Sequence, residues 1–231
     1  MNDKKPIYLL AGGRGSKSPD NILKAVFKDI GKTSPTIAYV GAATEDDTTF
    51  FQHMSSMVRS AGDCKLVHAV ISPRNADLKK AREILEQADA VYVGGGDVEA
   101  GMEVLNKKKM TEIFPELLNR GKLFFGVSAG SIMLANEWVR WRDPDDDDTA
   151  EMFPCMGLAP VICDTHGEGD HWEELQAALN LKPTGTTGYG ITSGACLVVY
   201  ADGEVDALGG AVACYTKDAS KVRQAAELKP V

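Results

Sequence analysis

The sequence predicts an α/β fold: a single doubly wound domain over residues 1–231, with a mostly parallel sheet and a C-terminal antiparallel hairpin. In the first half, short apolar runs ending at glycine or turn residues alternate with segments of helical periodicity, which is typical of βαβ units with buried strands. After residue 140 the pattern changes and the strands look antiparallel. The length of 231 residues, 44% of them hydrophobic, suffices for the core of one domain without disulfides or metals.

Five apolar runs predict buried strands: residues 7–11, 36–40, 64–70, 90–93 and 123–127. Three segments between or after them predict helices: residues 48–61, 77–87 and 129–138. The first of these helices places Phe51, Met54, Val58 and Ala61 on one stripe. The second begins at Asp77, a residue type that caps helices.

Residues 142–148 predict a loop, because four adjacent aspartates repel one another and Pro144 interrupts a helix. Residues 194–200, a turn at Asp202 and Gly203, and residues 205–208 predict the antiparallel hairpin. We expect residues 211–215 to extend this hairpin.

Composition excludes several classes of protein. A net charge of −8 disfavours a nucleic-acid-binding protein, which needs a basic surface. No apolar run approaches the roughly 20 residues of a membrane-spanning helix, and residues 7–11 are too short for the core of a signal peptide, so we expect no membrane partner and a cytoplasmic location. Five cysteines without a C-x-x-C pair argue against a disulfide framework and a structural zinc site.

Residues 126–130 have the sequence Gly-Val-Ser-Ala-Gly, a G-x-S-x-G motif between a predicted strand and a predicted helix. This context is typical of a nucleophile elbow, in which Ser128 stands at a sharp turn and the N–H of Ala129 faces a developing oxyanion. The alternative is a glycine-tolerant turn whose serine only caps the helix.

Residues 94–97, Gly-Gly-Gly-Asp, also follow a predicted strand. The N–H groups of Gly95, Gly96 and Asp97 are candidates for binding a negative oxygen or substrate, although Asp97 could also simply cap the next helix. A nucleotide site is not expected, because residues 13–15 lack the third glycine of G-x-G-x-x-G and Val26 stands where a P-loop needs its first glycine.

Among four histidines, His166 is the candidate base. It follows the apolar run of residues 159–163, at a strand end beside Gly167, where an imidazole can reach the elbow of a neighbouring strand. His53 and His68 instead lie inside predicted elements. Asp164, His166 and His171 could instead bind a metal, but their spacing matches no metal-binding signature, and we expect no metal.

In their order along the chain, these segments resemble the dipeptidase E (aspartyl dipeptidase) and cyanophycinase family of serine peptidases, whose fold is similar to that of class I glutamine amidotransferases. The resemblance covers the opening strand, residues 92–97, residues 126–130, residues 164–166, and Gly190 with Ile191 before the final hairpin. It implies that Ser128 is the nucleophile and His166 the general base, and that the N–H groups of Gly95 or Gly96 with Ala129 form the oxyanion hole.

Two features depart from this family. Family members usually carry an acidic residue just after the Gly-Ile pair to orient the histidine, and here Thr192 and Ser193 follow instead. Either Ser193 or Asp164 would then hold the imidazole. Family members specific for acidic residues often carry arginines shortly after the histidine, whereas the segment after His166 carries carboxylates: Glu168, Asp170, Glu173 and Glu174.

The sequence thus predicts a serine hydrolase without a cofactor that cleaves a peptide or amide bond in a small peptide substrate, with reduced activity if the histidine has a neutral partner. A catalytically silent relative that binds a small peptide or amide as a sensor is the alternative, supported by Thr192 and Ser193. An esterase or acyltransferase would use the same machinery. A homodimer is compatible with the sequence, which does not specify the oligomeric state.

Overall fold

The computed structural model describes residues 5–12 and 20–231. In this part of the chain the strands are β1 (Ile7–Leu10), β2 (Thr36–Val40), β3 (Lys65–His68), β4 (Ala90–Val93), β5 (Leu123–Val127), β6 (Glu137–Trp141), β7 (Ala150–Pro154), β8 (Ile162–Thr165), β9 (Thr187–Ile191), β10 (Cys196–Val199), β11 (Val205–Leu208), β12 (Val212–Lys217) and β13 (Val222–Gln224). The helices are α1 (Asp20–Ile30), α2 (Thr48–Ala61), α3 (Leu78–Gln87), α4 (Val98–Lys107), α5 (Met110–Asn119), α6 (Ala129–Leu134) and α7 (Glu173–Asn180).

A seven-stranded sheet with the order β11-β10-β1-β5-β4-β2-β3 forms the centre of the fold. Five neighbouring strands, β1, β5, β4, β2 and β3, run parallel to one another. Strands β10 and β11 form an antiparallel hairpin at one edge, beside β1. The predicted fold class, a doubly wound domain with a mostly parallel sheet and a C-terminal antiparallel hairpin, is confirmed. In this arrangement β1, β4 and β5 bring their carboxyl ends to one edge of the sheet, where open α/β sheets bind ligands.

Both faces of this sheet are buried, as the apolar runs predict. Ile7 and Leu9 of β1 belong to one hydrophobic cluster, and Tyr8 and Leu10 belong to a second cluster on the opposite face. Successive strand residues point to opposite faces, so a strand covered on both sides is apolar throughout. The predicted caps are also present, since the Asp77 side chain accepts a hydrogen bond from the N–H of Lys80 at the start of α3.

A second sheet has the order β13-β12-β9-β8, and β6 and β7 form a separate hairpin connected by the predicted loop at residues 142–148. The expectation that residues 211–215 extend the β10–β11 hairpin is wrong, because β12 pairs with β9 and β13 in the second sheet. The antiparallel character expected after residue 140 holds except for β8 and β9, which pair in parallel.

The helix predicted over residues 129–138 is too long. Helix α6 ends at Leu134, and β6 follows three residues later and pairs with β7. Every residue of α6 is buried, so the apolar run has no polar face to mark where the helix ends. Trp138 and Val139 favour an extended chain, and pairing with β7 stabilises it.

None of the described helices is both long and apolar enough to cross a membrane. Residues 13–15, on which part of the argument against a nucleotide site depends, lie outside the described residues.

Candidate active site

Ser128 lies in the turn between β5 and α6, at the carboxyl end of the central sheet. Its backbone angles, φ 53° and ψ −126°, are rare for a residue with a side chain and cost on the order of 1–3 kcal/mol. The N–H of Ser128 donates to the carbonyl of Leu10 at 2.8 Å, which ties the turn to the end of β1. Such a strained turn, held by its neighbours, is the geometry of a nucleophile elbow.

Both glycines of the motif are needed because strand and helix approach each other closely. A Cβ atom on Gly126 would lie 2.6 Å from the backbone of Gly130. A Cβ atom on Gly130 would lie 2.2 Å from the carbonyl oxygen of Val93, at the end of β4. The G-x-S-x-G pattern is therefore explained by contact between three backbone segments.

The glycine turn after β4 lies directly against this elbow. A Cβ atom on Gly95 would lie 3.2 Å from the Cβ of Ser128 and 3.9 Å from its hydroxyl oxygen. Gly96 has φ 138°, and a Cβ there would lie 2.0 Å from the carbonyl oxygen of Ala43. The backbone at Gly95 is thus within reach of a group bound at the Ser128 hydroxyl.

Asp97 serves as the N-cap of α4. Its side chain accepts a hydrogen bond from the N–H of Ala100 at 2.8 Å, and its own N–H donates to the carbonyl of Ala43 at 2.9 Å. Because that N–H is already used, the geometry gives Asp97 the capping role and leaves Gly95 and Gly96 as the candidate donors of this turn.

Asp46 holds the segment against which the glycine turn packs, a role that the sequence pattern did not reveal. Its carboxylate accepts hydrogen bonds from the N–H groups of Gly41, Ile71 and Ser72, and lies 3.0 Å from Nε2 of His68. Burial alone would raise the pKa of this carboxyl, but these hydrogen bonds outweigh it and keep the pKa below its usual value.

His166 follows β8 and has φ 67°. The chain after it is anchored by Trp172, which is 4% exposed and packs so closely that a Cβ on Gly167 or on Gly190 would lie within 2.7 Å of its indole ring. Strand β8 also packs against α6, where the thiol of Cys163 lies 3.9 Å from the carbonyl of Ser131. The fold therefore brings the strand that carries His166 beside the helix of the elbow.

The turn after β9 supplies the partner of this histidine. Nδ1 of His166 lies 3.2 Å from the hydroxyl oxygen of Ser193. The hydroxyl of the preceding Thr192 instead donates to the carbonyl of Ala211 at 2.8 Å. Of these two residues that stand where the family carries an acid, the structure thus places Ser193 against the imidazole.

Asp164, the other proposed partner of His166, is buried at 5% exposure and accepts a hydrogen bond from the N–H of Thr165. Burial raises the pKa of its carboxyl to about 7, and the negative charges of Glu174, Asp170 and Glu168 contribute to this increase. A carboxyl group that holds its proton up to neutral pH stabilises an imidazolium poorly.

Glu168 contacts the turn of Ser193, a contact that the sequence did not predict. Its carboxylate accepts a hydrogen bond from the N–H of Ser193. Partial desolvation alone would raise the pKa of Glu168, but hydrogen bonding by the Ser193 N–H and hydroxyl and the charge of His166 hold it below the usual value. Ser193, which contacts His166, is therefore also in contact with an ionised carboxylate.

The other histidines have structural or exposed positions. His68 pairs with Asp46 as described above, and His53 is exposed on α2. Among the residues that the structure describes, no group of three or more His, Cys, Asp or Glu side chains is arranged to hold a metal ion.

The two arginines after the elbow are engaged by glutamates. Arg140 contacts Glu99 at 3.2 Å and Glu151 at 2.8 Å, and Arg142 contacts Glu151 at 3.3 Å. Both arginines are therefore held by Glu151 of the β6–β7 hairpin, and Arg140 also by Glu99 of α4.

Known proteins share both the sequence pattern and the fold. The chain is 29% identical over 129 residues to Peptidase E of Haemophilus influenzae (54% of this chain, 56% of the relative) and 25% identical over 138 residues to the uncharacterized peptidase YgaJ of Bacillus subtilis (58% of each chain). It is also 26% identical over 133 residues to pyridoxal 5'-phosphate synthase subunit PdxT of Geobacillus stearothermophilus (58% of this chain, 63% of the relative). These matches span less than two thirds of each relative.

Solved structures extend the likeness across nearly the whole chain. A peptidase from an acI-B1 Actinobacterium superposes with a TM-score of 0.71 over 99% of this chain and 98% of its own, at 16% identity. A putative Peptidase E protein from Listeria monocytogenes EGD-e gives a TM-score of 0.61 over 88% and 97% at 16% identity. The model of peptidase family S51 matches residues 7–207, and the chain belongs to that family.

Proposed function

We propose that this protein is a serine-type hydrolase that cleaves a peptide or amide bond in a small peptide substrate. The observation that carries the proposal is Ser128 in a strained turn, against Gly95 on one side and beside the strand of His166 on the other. Membership of a peptidase family supports the same reaction class. The five free cysteines favour the cytoplasm as its location.

In the proposed mechanism the hydroxyl of Ser128 attacks the substrate carbonyl while Nε2 of His166 accepts its proton. The N–H groups of Ala129 and of Gly95 or Gly96 stabilise the oxyanion. His166 then protonates the leaving amine, and water hydrolyses the acyl-enzyme with His166 again as base. No cofactor takes part in these steps.

A fluorophosphonate probe tests this proposal, because only an activated serine reacts at low concentration of the reagent. We expect intact-mass analysis to show one adduct on the wild-type protein and none on Ser128→Ala. Ser60→Ala is the matched control, since Ser60 is exposed on α2, and it should react like the wild type. An adduct on a different serine, or peptide hydrolysis undiminished in Ser128→Ala, would contradict the proposal.

A catalytically silent protein that binds a small peptide or amide is the second candidate. The observation that favours it is the neutral Ser193 hydroxyl at Nδ1 of His166, because a neutral partner stabilises an imidazolium less than a carboxylate does. This candidate predicts that the wild-type protein forms no adduct. An esterase or acyltransferase would label like a peptidase and would be distinguished by its substrates.

A further inference from the structure

Ser193 contacts a carboxylate as well as the imidazole of His166. The N–H of Ser193 donates to Oε1 of Glu168, and the Ser193 hydroxyl lies 3.2 Å from Nδ1 of His166. The Ser193 hydroxyl, on the same residue, is also close enough to help hold the pKa of the Glu168 carboxyl below its usual value. One serine therefore links an imidazole to a carboxylate.

We propose that Glu168 is a positioning residue that acts on His166 through the Ser193 hydroxyl, in place of the acidic residue that the chain lacks after Gly190 and Ile191. The proposal rests on the proposed function, in which His166 is the general base.

The direction of these hydrogen bonds follows from the chemistry of the groups. An ionised carboxylate only accepts hydrogen bonds, so the single hydroxyl hydrogen of Ser193 points to Glu168. The hydroxyl oxygen then accepts from Nδ1–H of His166. Nε2 is left without a hydrogen and can accept the proton of Ser128. Glu168 thus selects the tautomer that general-base catalysis requires.

The carboxylate also affects the charged imidazole. When His166 accepts a proton, its positive charge is favoured by the negative charge of Glu168 beyond the serine. Two features weaken this effect: the serine lies between the charges, and Glu168 is exposed. Loss of a triad aspartate in direct contact can cost about 10⁴-fold, so we expect a smaller effect of about ten- to a hundredfold.

The geometry of the neighbouring residues supports Glu168 over Asp164 in this role. The carboxylate of Asp164 binds the N–H of Thr165 in its own strand end, whereas that of Glu168 binds the residue that contacts the imidazole. The contact is also fixed from both sides, because Trp172 anchors the loop of Glu168 against β9 and Gly194 anchors the turn of Ser193 through its N–H to the carbonyl of Gly12.

Two measurements on Glu168→Gln test the proposal: the pH dependence of the labelling rate of Ser128, and ¹⁵N NMR of the His166 imidazole. We expect labelling to slow by about ten- to a hundredfold and the acidic limb of the profile to move to lower pH, because the imidazolium loses a nearby anion. NMR should show the same fall in the pKa of His166 and a reduced preference for the Nδ1–H tautomer. A merely structural defect would lower the rate without moving the pH profile. Glu204→Gln, which removes an exposed carboxylate in the β10–β11 turn, is the control for net charge and should behave like the wild type.

The double variant Glu168→Gln/Ser193→Ala distinguishes a chain of contacts from independent effects. Ser193→Ala should slow labelling as much as Glu168→Gln does, and the double variant should be no slower than the slower single variant by more than about twofold. Ser193→Asp places a carboxylate beside Nδ1. In that background, Glu168→Gln should change the labelling rate only slightly.

The proposal is overturned if Glu168→Gln leaves the pKa of His166 and the pH profile of labelling unchanged, whether or not the rate falls, or if the two single effects multiply in the double variant. Failure of the proposed function gives a different result. In that case the wild type forms no adduct at Ser128, while NMR still reads the tautomer and pKa of His166 and shows whether they depend on Glu168.

Discussion

At the scale of single residues, Asp164 combines burial with a position near other carboxylates. Burial raises the pKa of its carboxyl from 3.8 to about 7, and Glu174, Asp170 and Glu168 add to this. The folded protein therefore binds this proton more tightly than the unfolded chain does. The stability that the proton contributes is complete below pH 3.8 and is lost as the pH rises through about 7.

We predict that Asp164→Asn is more stable than the wild type at pH 8, with a smaller gain at pH 5. At about 1.4 kcal/mol for each pH unit between the two pKa values, the loss in the wild type is on the order of 4 kcal/mol above neutral pH. The asparagine can keep the hydrogen bond to the N–H of Thr165 without carrying a charge. Urea denaturation at both pH values measures the difference, and a variant whose stability relative to the wild type does not change with pH would disprove the prediction.

Candidate site residues in local motifs could be found from the sequence, and a candidate whose position depends on loop folding could not. Ser128 stands in a five-residue pattern between a strand and a helix, and of the two partners considered for His166, Ser193 and Asp164, it is Ser193 that contacts the imidazole. Glu168 follows His166 by two residues in an acidic, glycine-containing loop. Its contact with Ser193 depends on how Trp172 packs that loop against β9, which no local pattern expresses.

At the scale of elements, the elbow depends on the close approach of β4, β5 and α6. We predict that Gly130→Ala destabilises the protein by at least the roughly 1–3 kcal/mol that overpacking usually costs, because the new methyl group would lie 2.2 Å from a backbone oxygen that cannot move alone. Thermal or urea unfolding measures the loss. Gly169→Ala is the control, since a Cβ there meets no atom within 4 Å, and it should change stability by less than about 0.5 kcal/mol. Equal stability of the two variants would contradict this account.

The parallel half of the fold was the more predictable half. Strands buried on both faces are apolar throughout, and amphipathic helices between them show one stripe, so β1 to β5, α2 and α3 follow from the pattern. The second sheet combines a parallel pair, β8 and β9, with antiparallel pairs of strands distant in the chain. Tertiary packing determines which strands pair in this sheet. For that reason the expectation that residues 211–215 extend the β10–β11 hairpin is wrong.

At the scale of the whole molecule, negative charge is concentrated around the loop that carries His166. Asp147, Asp170, Glu173 and Glu174 line an open cleft of about 700 Å³ between the β6–β7 hairpin and α7. Glu168 lies in the same loop as Asp170, and the molecule as a whole carries a net charge of −8. Arg140 and Arg142, the nearest arginines after the elbow in sequence, are held by Glu151.

We therefore predict that substrates with an N-terminal aspartate are not preferred over neutral or basic ones. Selection of an aspartyl side chain needs a fixed cation, best supplied by an arginine that binds both carboxylate oxygens. Near His166 such a side chain would meet carboxylates instead, and the repulsion should weaken as salt screens it. A panel of dipeptides compared by kcat/KM at low and high salt decides the question. A preference of tenfold or more for aspartyl substrates, about 1.4 kcal/mol of transition-state discrimination, would mean that a cation enters the site despite the surrounding negative charge. Equal or better hydrolysis of lysyl and neutral dipeptides, with aspartyl substrates gaining most from added salt, is the expected result.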